Sequence, residues 1–249
     1  MTPEPPAAGF EELRPLFAGH RSLRSVVEAV LEGRQGRAVR DGGAARLSLG
    51  CYELLGGDAA SPGARRLVES AARPRELVYG NDPSWRRLIQ DVHGEAVHDR
   101  PMRDYDPSAL DRARLREMEA VPAGFEIVRL DRALARQLDH ELEPHALQVF
   151  ASADEFAREG IGFGAVTDGR LAAAATSYAW TARLLEVAIG TRPAFRGRGL
   201  AAAAAAALMG RCLDAGIAPC WIASNPVSQR LAVRLGFRPT EVCEVLYLG

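Results

Sequence analysis

The sequence predicts a mixed α+β protein in two parts: an N-terminal α/β domain over residues 1–122 and a second α/β domain over 123–249. Three observations predict it. The chain has 249 residues, 47% apolar and 25% charged, enough for two ordinary globular cores. Strand-like and helix-like stretches alternate along both halves. The second half also carries Asp168-Gly169 between two apolar runs, a strong hairpin signal, so its sheet contains antiparallel neighbours.

Residues 1–20, with Pro3, Pro5 and Pro6, read as a frayed start. Leu23, Val26, Val27, Val30 and Leu31 recur on one helical face and predict a helix over 22–31. Ala44 to Leu55 reads as one strand that ends at Gly56-Gly57-Asp58. Ser61-Pro62 opens a helix through Leu67 and Val68, with proline near the first helical position. A short strand over 75–79 follows, and Asn81-Asp82-Pro83 caps a helix carrying Trp85, Leu88, Ile89 and Val92. Residues 94–108 are the least core-like stretch. Asp106-Pro107 resembles a cap and first turn, starting a helix with Leu110, Leu115 and Met118 inward. Val121-Pro122-Ala123-Gly124 closes it and marks the domain boundary.

In the second half a strand is expected over 125–130 and a helix over 132–142. Residues 161–167 and 171–178 form the hairpin, and 184–191 a further strand. A helix from about Gly197 to Ala215 would be roughly 28 Å long. A strand over 217–223 and a helix over 226–235 follow. Phe237 to Leu248 supplies one or two strands that close this second domain.

Composition excludes several function classes. Formal net charge is −1, and the pI near 6.5 leaves no strong basic field for nucleic acid or an anionic membrane. The longest apolar run, Leu200 to Met209, is half of what a bilayer needs. The four cysteines form no CxxC pair, and His140 and His145 stand five apart, off one helical face, so no metal site is expected. The chain contains no lysine, so all 31 basic residues are arginine. That removes Schiff-base chemistry, a pyridoxal phosphate anchor and the GxxxxGK[ST] phosphate loop. No signal peptide is visible, and the cytoplasm is the expected compartment.

Chemistry concentrates in Thr191-Arg192-Pro193-Ala194-Phe195-Arg196-Gly197-Arg198-Gly199-Leu200-Ala201, where a strand gives way to the long helix. Two glycines leave the backbone amides open to an anion, and a helix start adds unpaired N–H groups and the positive end of its dipole. Arg196 and Arg198 stand at the rim. A tight strand-to-helix turn would also explain the glycines. Gly197 to Ala202 formally fits the dinucleotide fingerprint GxGxxA, but the next strand ends in Ala223-Ser224-Asn225 and lacks the acid that holds a ribose.

Arg196-Gly197-Arg198-Gly199-Leu200-Ala201, with Thr191-Arg192-Pro193 upstream, resembles the acyl-CoA signature [QR]xxGx[GA] of the GNAT acetyltransferase superfamily. Asn225 to Phe237, an asparagine followed by a helix ending in Gly236-Phe237, is similar to that family's second signature. The wording around Cys212 and Pro219-Cys220-Trp221 resembles a bacterial subgroup of longer, two-domain members. The resemblance implies a mixed, mostly antiparallel sheet flanked by helices, with acetyl-CoA as co-substrate and an amine as acceptor. It implies that Ile189, Gly190 and Thr191 face the pantetheine arm. The amides of Gly197, Arg198, Gly199, Leu200, Ala201 and Ala202 would hold the diphosphate, with Asn225 and Ser228 near the pantetheine. Asn225 is equally placed to cap the helix that begins at Pro226. The first half carries no such signature; a degenerate second copy of the fold stays open, as does a homodimer.

The catalytic carry-over is thinner. Many members have a glutamate five residues before the position of Asn225 and a tyrosine seven after it; here those positions are Cys220 and Ala232. Glu186 is the best-placed substitute base, with a solvent-facing charge beside Arg183 as the plain alternative. Tyr178 and Tyr247 could serve the leaving thiolate or be core aromatics, and Cys220 could be a nucleophile or a small buried residue. Two functions therefore remain in view, an N-acetyltransferase and an acyl-CoA-binding protein without turnover.

Overall fold

The structure, a computed structural model, describes residues 9–138, 141–142 and 148–249. His140 and His145 lie outside the described residues. In chain order the elements are α1 (Arg24–Leu31), β1 (Arg37–Asp41), β2 (Ala44–Leu49), β3 (Tyr52–Gly57), α2 (Pro62–Glu69), β4 (Arg75–Val78), α3 (Pro83–His93), β5 (Val97–Asp99), β6 (Met102–Asp106) and α4 (Arg112–Met118). Then come β7 (Glu126–Arg129), α5 (Arg132–Ala135), α6 (Ala153–Glu159), β8 (Gly162–Thr167), β9 (Arg170–Trp180), β10 (Leu184–Thr191) and α7 (Leu200–Asp214). The chain ends with β11 (Ala218–Ala223), α8 (Pro226–Leu235), β12 (Arg238–Cys243) and β13 (Val245–Leu248).

Two mixed, mostly antiparallel sheets result. The first has six strands in the order β1-β2-β3-β4-β13-β5, the second seven in the order β12-β6-β11-β10-β9-β8-β7. Each contains a run of three antiparallel strands, then a helix that crosses to a parallel fourth: β1-β2-β3-α2-β4 in one, β8-β9-β10-α7-β11 in the other, where β7 adds a further antiparallel strand beside β8. A proline-started helix follows each fourth strand, α3 at Pro83 and α8 at Pro226. The place beside each parallel fourth strand is filled from elsewhere in the chain, by β13 next to β4 and by β6 next to β11. The first sheet thus repeats the central strand order of the second, without a counterpart of the edge strand β7.

Local chemistry explains most boundaries. Ser61 and Asp82 cap α2 and α3 by accepting from Ala64 N and Ser84 N, each with proline next. Asp168 and Gly169 both take positive φ, 48° and 71°, as a two-residue hairpin loop demands. Four expectations change. Residues 44–55 are two strands, because Gly50 at φ 55° turns the chain between them. Residues 94–108 hold β5 and β6, in which Met102 and Tyr105 are buried. Asp106 caps only a 3-10 turn, and Asp111 caps α4 through Arg114 N. Of the expected helix over 132–142, Arg132–Ala135 form α5, and residues 139–140 lie outside the described residues.

The compact units do not follow the expected domains. One comprises Met1–Asp104, Ile222–Pro226 and Thr240–Gly249, the other Tyr105–Trp221 and Val227–Pro239. The expected boundary at 122 was placed by a proline and a glycine, whereas packing separates the chain at 104. Strand β13 does not close the second domain. It lies between β4 and β5, and its Leu246 and Leu248 enter a core with Leu77, Trp85 and Ile89. In the first unit Glu53 is buried, with Arg46 Nε 3.1 Å away and the Ser48 hydroxyl donating at 2.5 Å. Arg46 also donates to Leu67 O, which fastens the end of α2 to the sheet.

Candidate functional site

The second unit holds the site where β10 passes into α7. Strand β10 stays paired with β9 from Leu185 to Thr191. Its parallel pairing with β11 covers only Leu184↔Ala218, Leu185↔Pro219 and Glu186↔Cys220. From Val187 onward β10 therefore presents one edge to no strand of the described residues, and the backbone of Ile189, Gly190 and Thr191 lies along that stretch. The same point carries an irregularity. The register with β9 shifts between Glu186 and Val187, which leaves Tyr178 as the extra residue of a bulge.

Past Thr191 the chain makes a 3-10 turn over Pro193–Phe195 and extends at Arg196. Gly197 and Gly199 take φ of 78° and 80°, a region that disfavours any residue with a Cβ. A Cβ on either would meet no atom within 4 Å, so the backbone there is open. Gly199 is the N-cap of α7 and offers no side chain to it. The first helical bond runs from Ala203 N to Gly199 O, 3.1 Å, so the N–H groups of Leu200, Ala201 and Ala202 are left for an outside acceptor. The residues fit an anionic group.

Arg192, which the sequence reading passed over, holds this junction from beneath. Its guanidinium donates to Leu171 O at 2.9 Å, to Gln137 O at 2.9 Å and to Glu141 Oε2 at 2.8 Å. Its own N–H donates to Ala172 O. Gln137 in turn donates to Gly169 O and accepts from Leu171 N, so three segments are tied into one base for the loop. These partners are 21 to 55 positions away in the chain, so no local pattern signals the role.

Glu186 is 4% exposed, which removes the solvent-facing alternative. As the register partner of Cys220 across a parallel pair, it shares a face with that residue. Cys220 is half-buried. Burial pushes the Cys212 and Cys243 thiols up to about 12, so neither is a thiolate at neutral pH. Ala232, on α8, is fully buried. Tyr178 is buried at the bulge, while Tyr247 lies in β13 of the first sheet, with the Arg100 guanidinium 5.1 Å over its ring. Ser228 belongs to the second unit and accepts from Trp221 Nε1 at 3.1 Å. Asn225 is counted with the first unit. Among the described residues no group of three or more His, Cys, Asp or Glu could hold a metal ion, and no helix is long and apolar enough to cross a membrane.

Comparison with known proteins bears on this arrangement. A family model for the GNAT acetyltransferases matches residues 14–246, across both sheets. No curated relative matches the sequence. Among solved structures, a GCN5-related N-acetyltransferase-like protein from Streptococcus suis 89/1591 is 24% identical, with a TM-score of 0.85 over 96% of this chain and 98% of that one. A GCN5-related N-acetyltransferase from Kribbella flavida is 18% identical, with a TM-score of 0.61 over 92% and 97%. A tandem GNAT protein from the clavulanic acid biosynthesis pathway is 17% identical, with a TM-score of 0.60 over 96% and 94%. At these identities the likeness is one of fold, and it extends through both halves. The glycine loop at a helix start, the repeated strand order and the length of the family match together place this chain in the GNAT acetyltransferase family.

Proposed function

We propose that the protein moves the acetyl group of acetyl-CoA directly to a primary amine of a small molecule or an amino terminus. The observation that carries this reading is the parting of β10 from β11 at Glu186↔Cys220, with the open glycine loop at the far end of β10. In this reading the amides of Gly197 to Ala202 hold the diphosphate and the free edge of Ile189 to Thr191 holds the pantetheine amides. Ser228 and Asn225 are assigned to the pantetheine by the family resemblance. The thioester then comes to lie beside the strand parting. An amine of pKa ~10.4 is protonated at pH 7, and neutralising it costs about 4.6 kcal/mol. Glu186, buried at that parting, is the base that takes the proton directly or through water. The amine nitrogen attacks the carbonyl carbon, the carbon–sulfur bond breaks, the acylated nitrogen gives up its second proton to solvent, and the CoA thiolate leaves and takes a proton from solvent.

Titration calorimetry with acetyl-CoA, followed by assay of free CoA over a panel of primary amines, tests the reading. The expected result is binding plus amine-dependent CoA release. Glu186→Gln is expected to lower the turnover rate by about 10²–10⁴-fold. A chain that does not bind acetyl-CoA sinks the proposal. One observation favours a second reading: Cys220 and the buried methyl of Ala232 supply neither a carboxylate nor a phenol. Binding without CoA release over the whole panel would make the protein a silent acyl-CoA carrier.

A further inference from the structure

Three arginines, Arg170, Arg196 and Arg198, stand beside the glycine loop. Arg170 opens β9, and its Cζ lies 5.8 Å from the centre of the Phe195 ring. Arg198, between the two glycines, places its Cζ 5.7 Å from the same ring and 6.0 Å from that of Phe125. The two rings meet edge to face at 5.9 Å. Arg196 donates to Thr191 O at 3.3 Å. Among the described residues none of the three arginines forms an ion pair, and the sequence has no acid between Glu186 and Asp214. Several other arginines do have a carboxylate partner: Arg66 pairs with Asp41, Arg86 with Asp99 and Arg112 with Asp214.

The rings explain how the guanidinium groups are held, and also what is missing. A guanidinium over an aromatic face keeps all its in-plane donors, so its fork stays free for an oxyanion. Two like charges sharing one ring repel, and an anion between their forks removes that repulsion. A phosphate monoester suits such a fork in both charge and shape. The acyl-CoA reading supplies one. Beyond the diphosphate, CoA bears a phosphate on its ribose 3′ oxygen, one sugar away. The backbone amides of the loop address the diphosphate and do nothing to select for that third phosphate.

We propose that Arg170 and Arg198, stacked on Phe195, form a subsite for the ribose 3′-phosphate, which makes the protein selective for CoA thioesters over their dephospho forms. This rests on the acyl-CoA reading above. Arg170 is the informative residue, because it lies outside the glycine loop and carries no part of the diphosphate assignment.

Calorimetric titration with CoA and with 3′-dephospho-CoA, at one fixed ionic strength, tests the subsite. The two ligands differ by a single phosphate. CoA is expected to bind about tenfold or more tightly than dephospho-CoA, as a charge-assisted, forked contact implies. In Arg170→Gln, and in Phe195→Leu, which removes the ring, the gap is expected to close to about threefold because CoA weakens. Thermal melts of both variants show whether they remain folded. Equal binding of the two ligands by the unaltered protein overturns the subsite while leaving the acyl-CoA reading intact. A gap that persists in both folded variants overturns the assignment to Arg170 and Phe195. Failure of both ligands to bind sinks the acyl-CoA reading, and the subsite with it.

Discussion

Two residues show how much a single position can decide. Gly199 combines a φ of 80° with open space where a Cβ would stand. Backbone strain and ligand access can therefore be separated. Gly199→Ala should cost about 1–2 kcal/mol of stability, the penalty for a side chain in the left-handed region, and weaken CoA binding by only a few fold. Gly199→Glu should cost about the same and lose binding by roughly 100-fold, because its carboxylate takes the diphosphate's place at the amides. Urea unfolding and titration of the pair check this; equal binding losses would mean that loop shape rather than anion access is at stake. His20, in the first unit, is the second case. Its Nε2–H donates to Leu55 O at 2.8 Å and its buried Nδ1 has no partner. Burial holds its pKa below the ordinary value of 6.5, outweighing the bond to Leu55. The unfolded chain therefore takes up the proton first. The stability that neutral His20 contributes is complete above about pH 6.5, and it is lost as pH falls from there toward the lowered folded value. The urea midpoint should drop between pH 7.5 and 5.5, and His20→Gln, which keeps a donor, should flatten that slope. An unchanged slope would show that other groups set the acid sensitivity.

At the scale of elements, α7 is the piece on which the site depends. Ala202 to Ala207 are all buried, and the small side chains let its backbone approach β8 and β9 closely. Ala205→Leu should overpack this contact at a cost of about 1–3 kcal/mol, with a melting temperature lower by roughly 2–4 °C for each kcal/mol. No change in melting would mean the helix can slide outward. Elements with a strong local cause were legible in the sequence. Helices α2 and α3, the Asp168-Gly169 hairpin, β10 and α8 all follow from turn and cap chemistry that neighbouring residues supply, whereas the same Asp-Pro signal at 106–107 yields only a 3-10 turn. What could not be read depends on distant partners. Arg46 and Glu53 are charges inside an otherwise apolar run, and their mutual contact lets them be buried in β2 and β3. Strand β6 hides behind the charges of Arg103 and Asp104. The glycine loop was legible because its conformation is local, whereas Arg192 beneath it and Arg170 beside it act only once β9 has folded against it.

For the molecule as a whole, the repeat raises the question of how many ligand sites the chain carries. Both halves run three antiparallel strands, a crossover helix and a parallel fourth strand, so α2 stands in the first where α7 stands in the second. The two helix starts differ in kind. At α7 a bare glycine precedes free amides. At α2 the Ser61 hydroxyl already accepts from Ala64 N, and Pro62 has no N–H to give. Asp58 adds a carboxylate that accepts from Ala60 N. A Cβ on Gly63 would strike Asp41 O at 2.1 Å, so its backbone is packed against protein where that of Gly199 is open. At this start the Ala64 N–H is already satisfied, Pro62 has none to give, and Asp58 places a carboxylate just upstream. The first half thus keeps the family's architecture without the electrostatics of its loop. One CoA should bind per chain, with a calorimetric stoichiometry of about one, and Gly199→Glu should abolish all of the heat rather than half. A stoichiometry of two, or a residual full-strength site in that variant, would show that the first half binds the ligand by another route.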